Sequence, residues 1–421
     1  MLSKIKKSSE LIYNSIKLIA GAGLSQAIPL VFSPVLARVF TPSEFALLAI
    51  LMASTSIATL IATCYYENAI LIPEDDITSL NLLGLIATIS AIVSAVILLF
   101  ILIAYALDLT FIFTHIKFRH FLILPVAIFL NANYLALINW LNRCKEYTLL
   151  NKVKITQSAA TVFISLIFGL MGYKNSALLL GYVFGFLLAV IPLFRLLHQK
   201  RSLITLVKIG EAALKFRSYP ILLMPSSLAN TGGSQAPIFF MTRYFVDTMV
   251  GSFSFAARIL AAPSAVISMS VGQVFFRTIS ESKNSGRDNM TRVFLNTGKG
   301  LFLISICVFT PIFLFGETIF RNVFGNAWGD AGKYAEILAV GLFIKFIASP
   351  LSVVFLVMDK LKYLACWQFI YLSAIISCFF FSRNDEPFTI MWRYVSVDAV
   401  MYISYLVLMY RVIKRDVSKI D

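Results

Sequence analysis

The chain has 421 residues, of which 59% are apolar and only 14% are charged. A soluble domain usually carries about 25% charged residues, so this composition excludes a surface exposed mainly to water. Apolar stretches of about 18 or more residues recur along the whole length, and each is long enough to cross about 30 Å of hydrocarbon. We therefore predict an all-α integral membrane protein, because backbone groups in lipid must be satisfied within each segment.

The formal net charge of +15 would suggest nucleic acid as the partner of a soluble protein. In a membrane protein, lysines and arginines in cytoplasmic loops fix the orientation instead, so we predict the lipid bilayer and no nucleic acid as a partner. The five cysteines and three histidines show no spacing typical of a disulfide framework or a metal site. With no nucleotide-binding loop either, the sequence predicts a transporter that is not an enzyme and holds no cofactor.

In chain order, the apolar stretches predict about twelve membrane spans. They run roughly over 12–37, 45–65, 80–105, 121–141, 155–173, 176–197, 221–242, 248–276, 300–324, 336–357, 363–381 and 394–413. The first stretch is too long for a signal peptide and is interpreted as an uncleaved span. With the N-terminus inside, about 25 Lys and Arg residues fall in inside segments and about nine in outside loops, which predicts that both termini are cytoplasmic.

Two short patterns recur in the two halves of the chain. Residues Ser25–Pro29 are similar to Ser234–Pro237, and Arg38–Phe40 are similar to Arg243–Phe245. The predicted domains are therefore a six-helix lobe over 1–197, a cytoplasmic linker over 198–220 and a second six-helix lobe over 221–421. Two such parallel repeats would surround a central cavity and operate by alternating access.

Two cations lie deep inside predicted spans. Arg258 lies about ten residues into span eight and Lys345 about nine residues into span ten, near the bilayer midplane at about 1.5 Å per residue. A bare cation there costs at least about 2.5–3.5 kcal/mol, so each should face a wet cavity or pair with an anion. The acidic candidates for pairing all lie near predicted span ends: Glu67, Glu317, Asp359 and Asp398. We therefore favour a cationic cavity, and a buried ion pair within one lobe is the alternative.

Polar side chains in other spans leave two interpretations open. Asn230, Gln235 and Pro237 in span seven predict a kinked helix with polar groups. Asn131 and Asn139 in span four suit hydrogen bonds between helices as well as contact with a substrate.

Several segments carry a family resemblance. They are Gly23–Ala49, Tyr65–Asp76, Ala256–Pro263, Gln273–Phe276, Phe324–Gly332 and Lys345–Ser352. Together they resemble the O-antigen unit flippase branch of the multidrug/oligosaccharidyl-lipid/polysaccharide exporter superfamily. The sequence departs from that pattern at Tyr65 and at Lys345, where arginine is usual; lysine keeps the charge but loses the planar fork.

The resemblance implies a polysaccharide flippase of the bacterial inner membrane, acting in lipopolysaccharide synthesis. Its expected substrate is an undecaprenyl-pyrophosphate-linked oligosaccharide, moved from the cytoplasmic to the periplasmic leaflet. The expected partners are H+ or Na+ as a coupling ion, the polysaccharide polymerase and the chain-length regulator. The residues predicted to contact the substrate are Arg258, Lys345, Arg38, Arg243, Gln26, Asn230, Gln235 and Glu67.

Two alternatives remain at this point. A multidrug cation antiporter of the same superfamily would need acidic residues in its cavity, whereas the two deep residues here are basic. A membrane polysaccharide polymerase would usually present a large outside loop, whereas the outside loops predicted here are short.

Overall fold

The structure is a computed structural model that describes residues 20–108, 118–283, 287–382 and 385–416. Twelve long helices dominate these residues, and no β-strand occurs among them. In the first half they are α1 (Ala20–Val39), α2 (Pro42–Thr63), α3 (Asp76–Ala106), α4 (Ile123–Arg143), α5 (Tyr147–Leu170) and α6 (Lys174–Gln199). In the second half they are α7 (Met224–Tyr244), α8 (Asp247–Lys283), α9 (Arg287–Phe324), α10 (Gly329–Leu351), α11 (Leu361–Phe381) and α12 (Pro387–Asp416).

Among the described residues, eleven helices are long and apolar enough to cross a membrane. The twelfth is α7, whose 21 residues correspond to about 32 Å of helix. Its sequence is more polar than the others because it contains Asn230, Ser234, Gln235 and Pro237. The prediction of an all-α membrane protein with about twelve helices is confirmed. The predicted cytoplasmic ends, with Lys4, Lys6, Lys7 and Lys419, lie outside the described residues.

The start of α2 shows how the sequence sets a helix boundary. Pro42 occupies the first turn, where its missing N–H costs nothing. The Glu44 carboxylate accepts a hydrogen bond from the Thr41 backbone amide at 2.6 Å, which forms a capping box. This cap ends the preceding connection two residues after α1, so α1 and α2 are joined by a tight corner.

The chain forms two compact units, Met1–Thr231 and Gly232–Asp421. In the first unit, α4 packs against α2, α3 and α6, and α5 packs against α6. In the second unit, α10 packs against α8, α9 and α12, and α11 packs against α12. The same packing pattern therefore returns six helices later in the chain.

The segment between α6 and α7 contains a helix that the sequence analysis missed. This linker helix, Leu206–Lys215, packs against α3 with Ile209, Ala212 and Ala213, and Phe216 follows on the same face. These positions have the i, i+3, i+4, i+7 spacing of an amphipathic helix, which was the signal in the sequence. The linker is thus an ordered part of the first unit.

Candidate functional site

Arg258 lies in the long helix α8, eleven residues beyond Asp247, which corresponds to about 16 Å along the axis. Its side chain is half-buried. Ser254, one turn earlier, bonds the carbonyl oxygen of Gly251 at 3.0 Å, so its hydroxyl is satisfied within the helix. The helix thus holds a cation far from both of its ends, where snorkelling is difficult.

Lys345 lies in α10 within a polar cluster of the second unit, which we call the α10–α12 cluster: Lys345, Tyr371, Asp398 and Tyr402. The Lys345 ammonium lies 5.3 Å from the centre of the Tyr402 ring, within the range of a cation–π interaction. The Asp398 carboxylate interacts electrostatically with the same ammonium. Lys345 is therefore compensated by an aromatic face and a carboxylate from its own unit.

Asp398 is itself well supported. The Tyr371 hydroxyl donates a hydrogen bond of 2.8 Å to its Oδ1 atom, and the residue is only 5% exposed. Gly341 allows α10 to approach it closely, since a Cβ at that position would lie 3.2 Å from Oδ2. A buried carboxylate is tolerated when it is hydrogen-bonded and lies near a cation, and Asp398 has both kinds of neighbour.

The prediction that Asp398 lies near a span end is wrong. Helix α12 begins at Pro387, seven residues before the predicted start, so Asp398 lies eleven residues inside it. A carboxylate that interacts electrostatically with Lys345 therefore lies within its own unit, but the two side chains form no direct salt bridge. A signal existed in the sequence, because Tyr394, Asp398 and Tyr402 recur every four residues and so share one face of a helix.

Glu67 occupies a different setting, in the connection between α2 and α3. Cys64 and Tyr65 turn the chain sharply with positive φ angles of 48° and 63°. A short 3₁₀ helix, Tyr66–Leu71, then carries Glu67 into the unit, where it is 4% exposed. Its Oε1 atom accepts a hydrogen bond from the Asn68 amide at 3.1 Å, whereas no described group bonds Oε2.

Burial is the main cause that raises the pKa of Glu67 above its ordinary value of 4.5. Hydrogen bonding from the Thr63 side chain and from the Glu67 backbone opposes this rise in pKa, but by less. Desolvation disfavours the charged form of a carboxyl group, so the environment favours the protonated acid.

The remaining acidic residues of this connection are exposed, as expected for a solvated turn: Glu74, Asp75 and Asp76. Arg143, at the end of α4, holds their backbone in place. Its guanidinium donates to the carbonyl oxygens of Pro73 and Glu74, and it forms a 3.0 Å ion pair with Asp76. The connection between α2 and α3, which we call the Glu67 corner, thus buries Glu67 and leaves the three acidic residues that follow it exposed.

The other predicted contact residues fall in both units. Gln26 and Gln235 are half-buried, in α1 and α7, whereas Arg38, Arg243 and Asn230 are exposed. Asn131 bonds Thr59 of α2 at 3.2 Å, and Asn139 bonds the carbonyl oxygen of Leu135 in its own helix. At Asn131 and Asn139, therefore, the structure shows hydrogen bonding within the protein. Among the described residues, no group of His, Cys, Asp and Glu side chains is arranged to hold a metal ion.

Two solved structures show the same helix arrangement as this chain. An inward-facing multidrug resistance transporter of the MATE family and MOP superfamily matches with a TM-score of 0.69, at 15% identity, over 95% of both chains. The lipid II flippase MurJ, in an inward closed conformation, also matches with a TM-score of 0.69, at 14% identity, over 94% of this chain and 87% of MurJ. The chain therefore shares the fold of these two proteins.

The family follows from sequence. Residues 35–333 match the family described as polysaccharide biosynthesis protein, and the chain belongs to that family. The teichuronic acid biosynthesis protein TuaB of Bacillus subtilis (strain 168) is 23% identical over 205 residues, which are 48% of this chain and 42% of TuaB. The resemblance to polysaccharide flippases of this superfamily is therefore confirmed at the level of family and fold.

Proposed function

We propose that the protein is a flippase for an undecaprenyl-pyrophosphate-linked oligosaccharide, such as an O-antigen unit, and that it carries this substrate from the cytoplasmic to the periplasmic leaflet of the bacterial inner membrane. The membership of a polysaccharide biosynthesis family is the observation that carries the proposal. The fold shared with a lipid II flippase is consistent with it. Alternating access of the two repeats supplies the movement, with both termini in the cytoplasm.

The chemistry of the substrate demands cations and polar groups. A pyrophosphate is anionic and its sugars are polar, so neither crosses hydrocarbon unaided. Arg258 is the proposed main contact of the pyrophosphate, because a guanidinium can donate two parallel hydrogen bonds to phosphate oxygens. Lys345 contributes less, since Asp398 already compensates it. The proposed contacts with the rest of the head group are Gln26, Arg38, Asn230, Gln235 and Arg243.

A multidrug antiporter is the rival with structural support, because the MATE transporter matches as well as MurJ does. The fold does not separate the two functions. A drug cation would need a free carboxylate deep in the membrane, and the deep Asp398 is engaged by Tyr371 and Lys345. The polysaccharide family favours the flippase.

Deletion of the gene tests the proposed function. The deletion strain should lose surface polysaccharide and accumulate lipid-linked oligosaccharide that is shielded from a periplasmic glycan-cleaving enzyme in intact cells. A plasmid copy should restore the polymer. Accumulated units that the periplasmic enzyme reaches would indicate a polymerase, and an unchanged polymer with increased drug sensitivity would indicate a drug exporter.

A further inference from the structure

We propose that a groove beside the linker helix binds an anionic phospholipid of the bilayer, with the phosphate of the headgroup at Arg201. Helix α3, the end of α6 and the segment that leads into the linker helix border this groove, so it lies within the first unit. Its volume is about 300 Å³, and its lining residues are Gly84, Thr88, Leu197, Arg201, Ile204 and Ile209. The proposed lipid is distinct from the transported substrate, so the site goes beyond the proposed function.

Asn81 of α3 holds one wall of the groove in place. Its side chain is fully buried, donates a 3.2 Å hydrogen bond to the carbonyl oxygen of Leu203 and accepts one of 3.2 Å from the Thr205 amide. Gly84, on the next turn of α3, allows a close approach, since a Cβ there would lie 2.8 Å from the Cγ2 atom of Ile204. The segment between α6 and the linker helix is therefore fixed against α3, and the groove is preformed.

Arg201 supplies the positive charge of the groove. Its side chain is exposed, and no described carboxylate forms an ion pair with it. The sequence contains no Asp or Glu between positions 174 and 210, whereas Arg195, Lys200 and Lys208 are exposed cations on the same stretch. This part of the surface therefore attracts an anion.

The acidic residues of the neighbouring elements do not neutralise Arg201. At the start of α3, Asp76 pairs with Arg143, and Asp75 interacts with Lys215. In the linker helix, Glu211 follows Ile209 by two residues, or about 200° around the axis, so it lies on the opposite face. The charge of the groove is thus left for a ligand.

The lipid-facing side of α3 continues from the groove. Beyond Thr88, which is exposed, Ile92, Val96 and Leu99 follow at spacings of four, four and three residues. These three side chains are 57%, 59% and 58% exposed, as expected for apolar residues that face lipid. A phospholipid with its headgroup at Arg201 can therefore place an acyl chain along this side of α3.

The groove also lies at the depth of lipid headgroups. Helix α3 has 31 residues, or about 46 Å, whereas about 20 residues cross the hydrocarbon. Counted back from Ala106, about 20 residues reach a point between Gly84 and Thr88. In the linker helix, Leu206 and Val207 are 83% and 72% exposed beside a lysine, which is typical of a helix in the membrane interface.

The polar contact in the groove falls to Arg201. The Thr88 hydroxyl already donates a 2.9 Å hydrogen bond to the carbonyl oxygen of Gly84. A guanidinium forms charge-assisted hydrogen bonds with a phosphodiester. Phosphatidylcholine carries its own ammonium group, which the basic surroundings repel, whereas phosphatidylglycerol has a net negative charge. The groove therefore favours an anionic lipid, and the bound lipid would hold the linker helix against α3.

Native mass spectrometry of the full-length protein in detergent tests the site, with phosphatidylglycerol and phosphatidylcholine of identical acyl chains as probes. Wild type should retain one phosphatidylglycerol in preference to phosphatidylcholine. Arg201→Gln should weaken this binding by about tenfold or more, since it removes a charge-assisted hydrogen bond. Arg217→Gln removes the same charge from an exposed arginine outside the groove and should bind the lipid as wild type does.

Thr88→Trp is a second variant that leaves every cation in place. The indole should occupy the groove and weaken phosphatidylglycerol binding to a similar extent. Leu170→Trp, at a 76% exposed position at the end of α5, is its control. Phosphatidylglycerol should raise the unfolding temperature of wild type and of both controls more than that of the two groove variants, because a ligand that binds the folded state stabilises it.

Three results would overturn the site. The first is equal affinity for phosphatidylglycerol in wild type, Arg201→Gln and Thr88→Trp. The second is an equal loss in Arg201→Gln and Arg217→Gln, which would indicate a diffuse attraction to the basic segment. The third is displacement of phosphatidylglycerol by undecaprenyl phosphate at a far lower concentration, which would assign the groove to the substrate.

Discussion

The Glu67 corner and the α10–α12 cluster solve the same electrostatic problem in different ways. Each buries a carboxyl group, Glu67 at 4% exposure and Asp398 at 5%. Asp398 lies near the Lys345 ammonium and is bonded by Tyr371, whereas Glu67 has one oxygen without a partner among the described residues. A nearby cation favours the ionised form of a carboxyl group, and burial without one favours the protonated form.

The difference indicates which buried charges are available for function. Lys345, Asp398 and Tyr371 compensate one another across α10, α11 and α12. The environment of Glu67 instead favours the neutral acid, so its charge depends on how far it is exposed to water. A buried ionisable group is therefore a better candidate for a functional role when the structure leaves it without an opposite charge.

The largest effect is expected at Arg258, the deep cation that we assign to the substrate. Arg258→Ala should abolish surface polysaccharide at normal protein abundance, because the pyrophosphate loses its main counter-charge. Immunoblots of polymer and of protein measure both quantities. Arg258→Lys should retain part of the export, since it keeps the charge but not the planar fork.

The matched control for Arg258 lies on the same helix. Arg277 is 70% exposed and pairs with Glu281 at 2.9 Å, so Arg277→Ala should leave export unchanged. A normal amount of polymer in the Arg258→Ala strain would contradict the assignment of Arg258 and would mean that other residues bind the pyrophosphate.

The second prediction concerns the electrostatic interaction between Lys345 and Asp398 in the α10–α12 cluster. Asp398→Asn should destabilise the protein by about 3 kcal/mol, because it leaves the Lys345 ammonium without its carboxylate. The double variant Lys345→Met with Asp398→Asn should recover most of this loss, since asparagine still accepts the Tyr371 hydrogen bond. Denaturant unfolding in detergent provides the measurement.

The double variant also separates structure from transport. If the interaction between Lys345 and Asp398 is structural, the double variant should export polysaccharide at a substantial fraction of the wild-type rate. Loss of export in a stable double variant would show that Lys345 binds the substrate itself, as the sequence alone suggested.

The number of helices was predictable from the sequence because it depends on long apolar runs. The start of α12 was not, because Arg393 interrupts the apolar pattern and the predicted span started at 394. With that predicted start, Asp398 was placed near a helix end. The burial of Glu67 was not predictable for another reason. Glu67 lies in the same connection as the exposed Glu74, and only the structure shows that the chain turns inward at Cys64 and Tyr65.

The smallest effect is expected at the contact between the Glu67 corner and the linker helix. Tyr66→Phe removes a single hydrogen bond of 3.0 Å to Ala213, which is worth about 0.5–1.5 kcal/mol. The linker should then open more often, and trypsin should cut faster at its exposed Lys208 and Lys215. When opening and closing are faster than cleavage, the rate follows the open population, so an increase of about two- to tenfold is expected.

Tyr173→Phe, at an exposed tyrosine between α5 and α6, provides the control and should be cut at the wild-type rate. Equal rates in Tyr66→Phe and wild type would mean that the corner and the linker open independently. The Tyr66 hydrogen bond would then not hold the linker helix against the connection between α2 and α3.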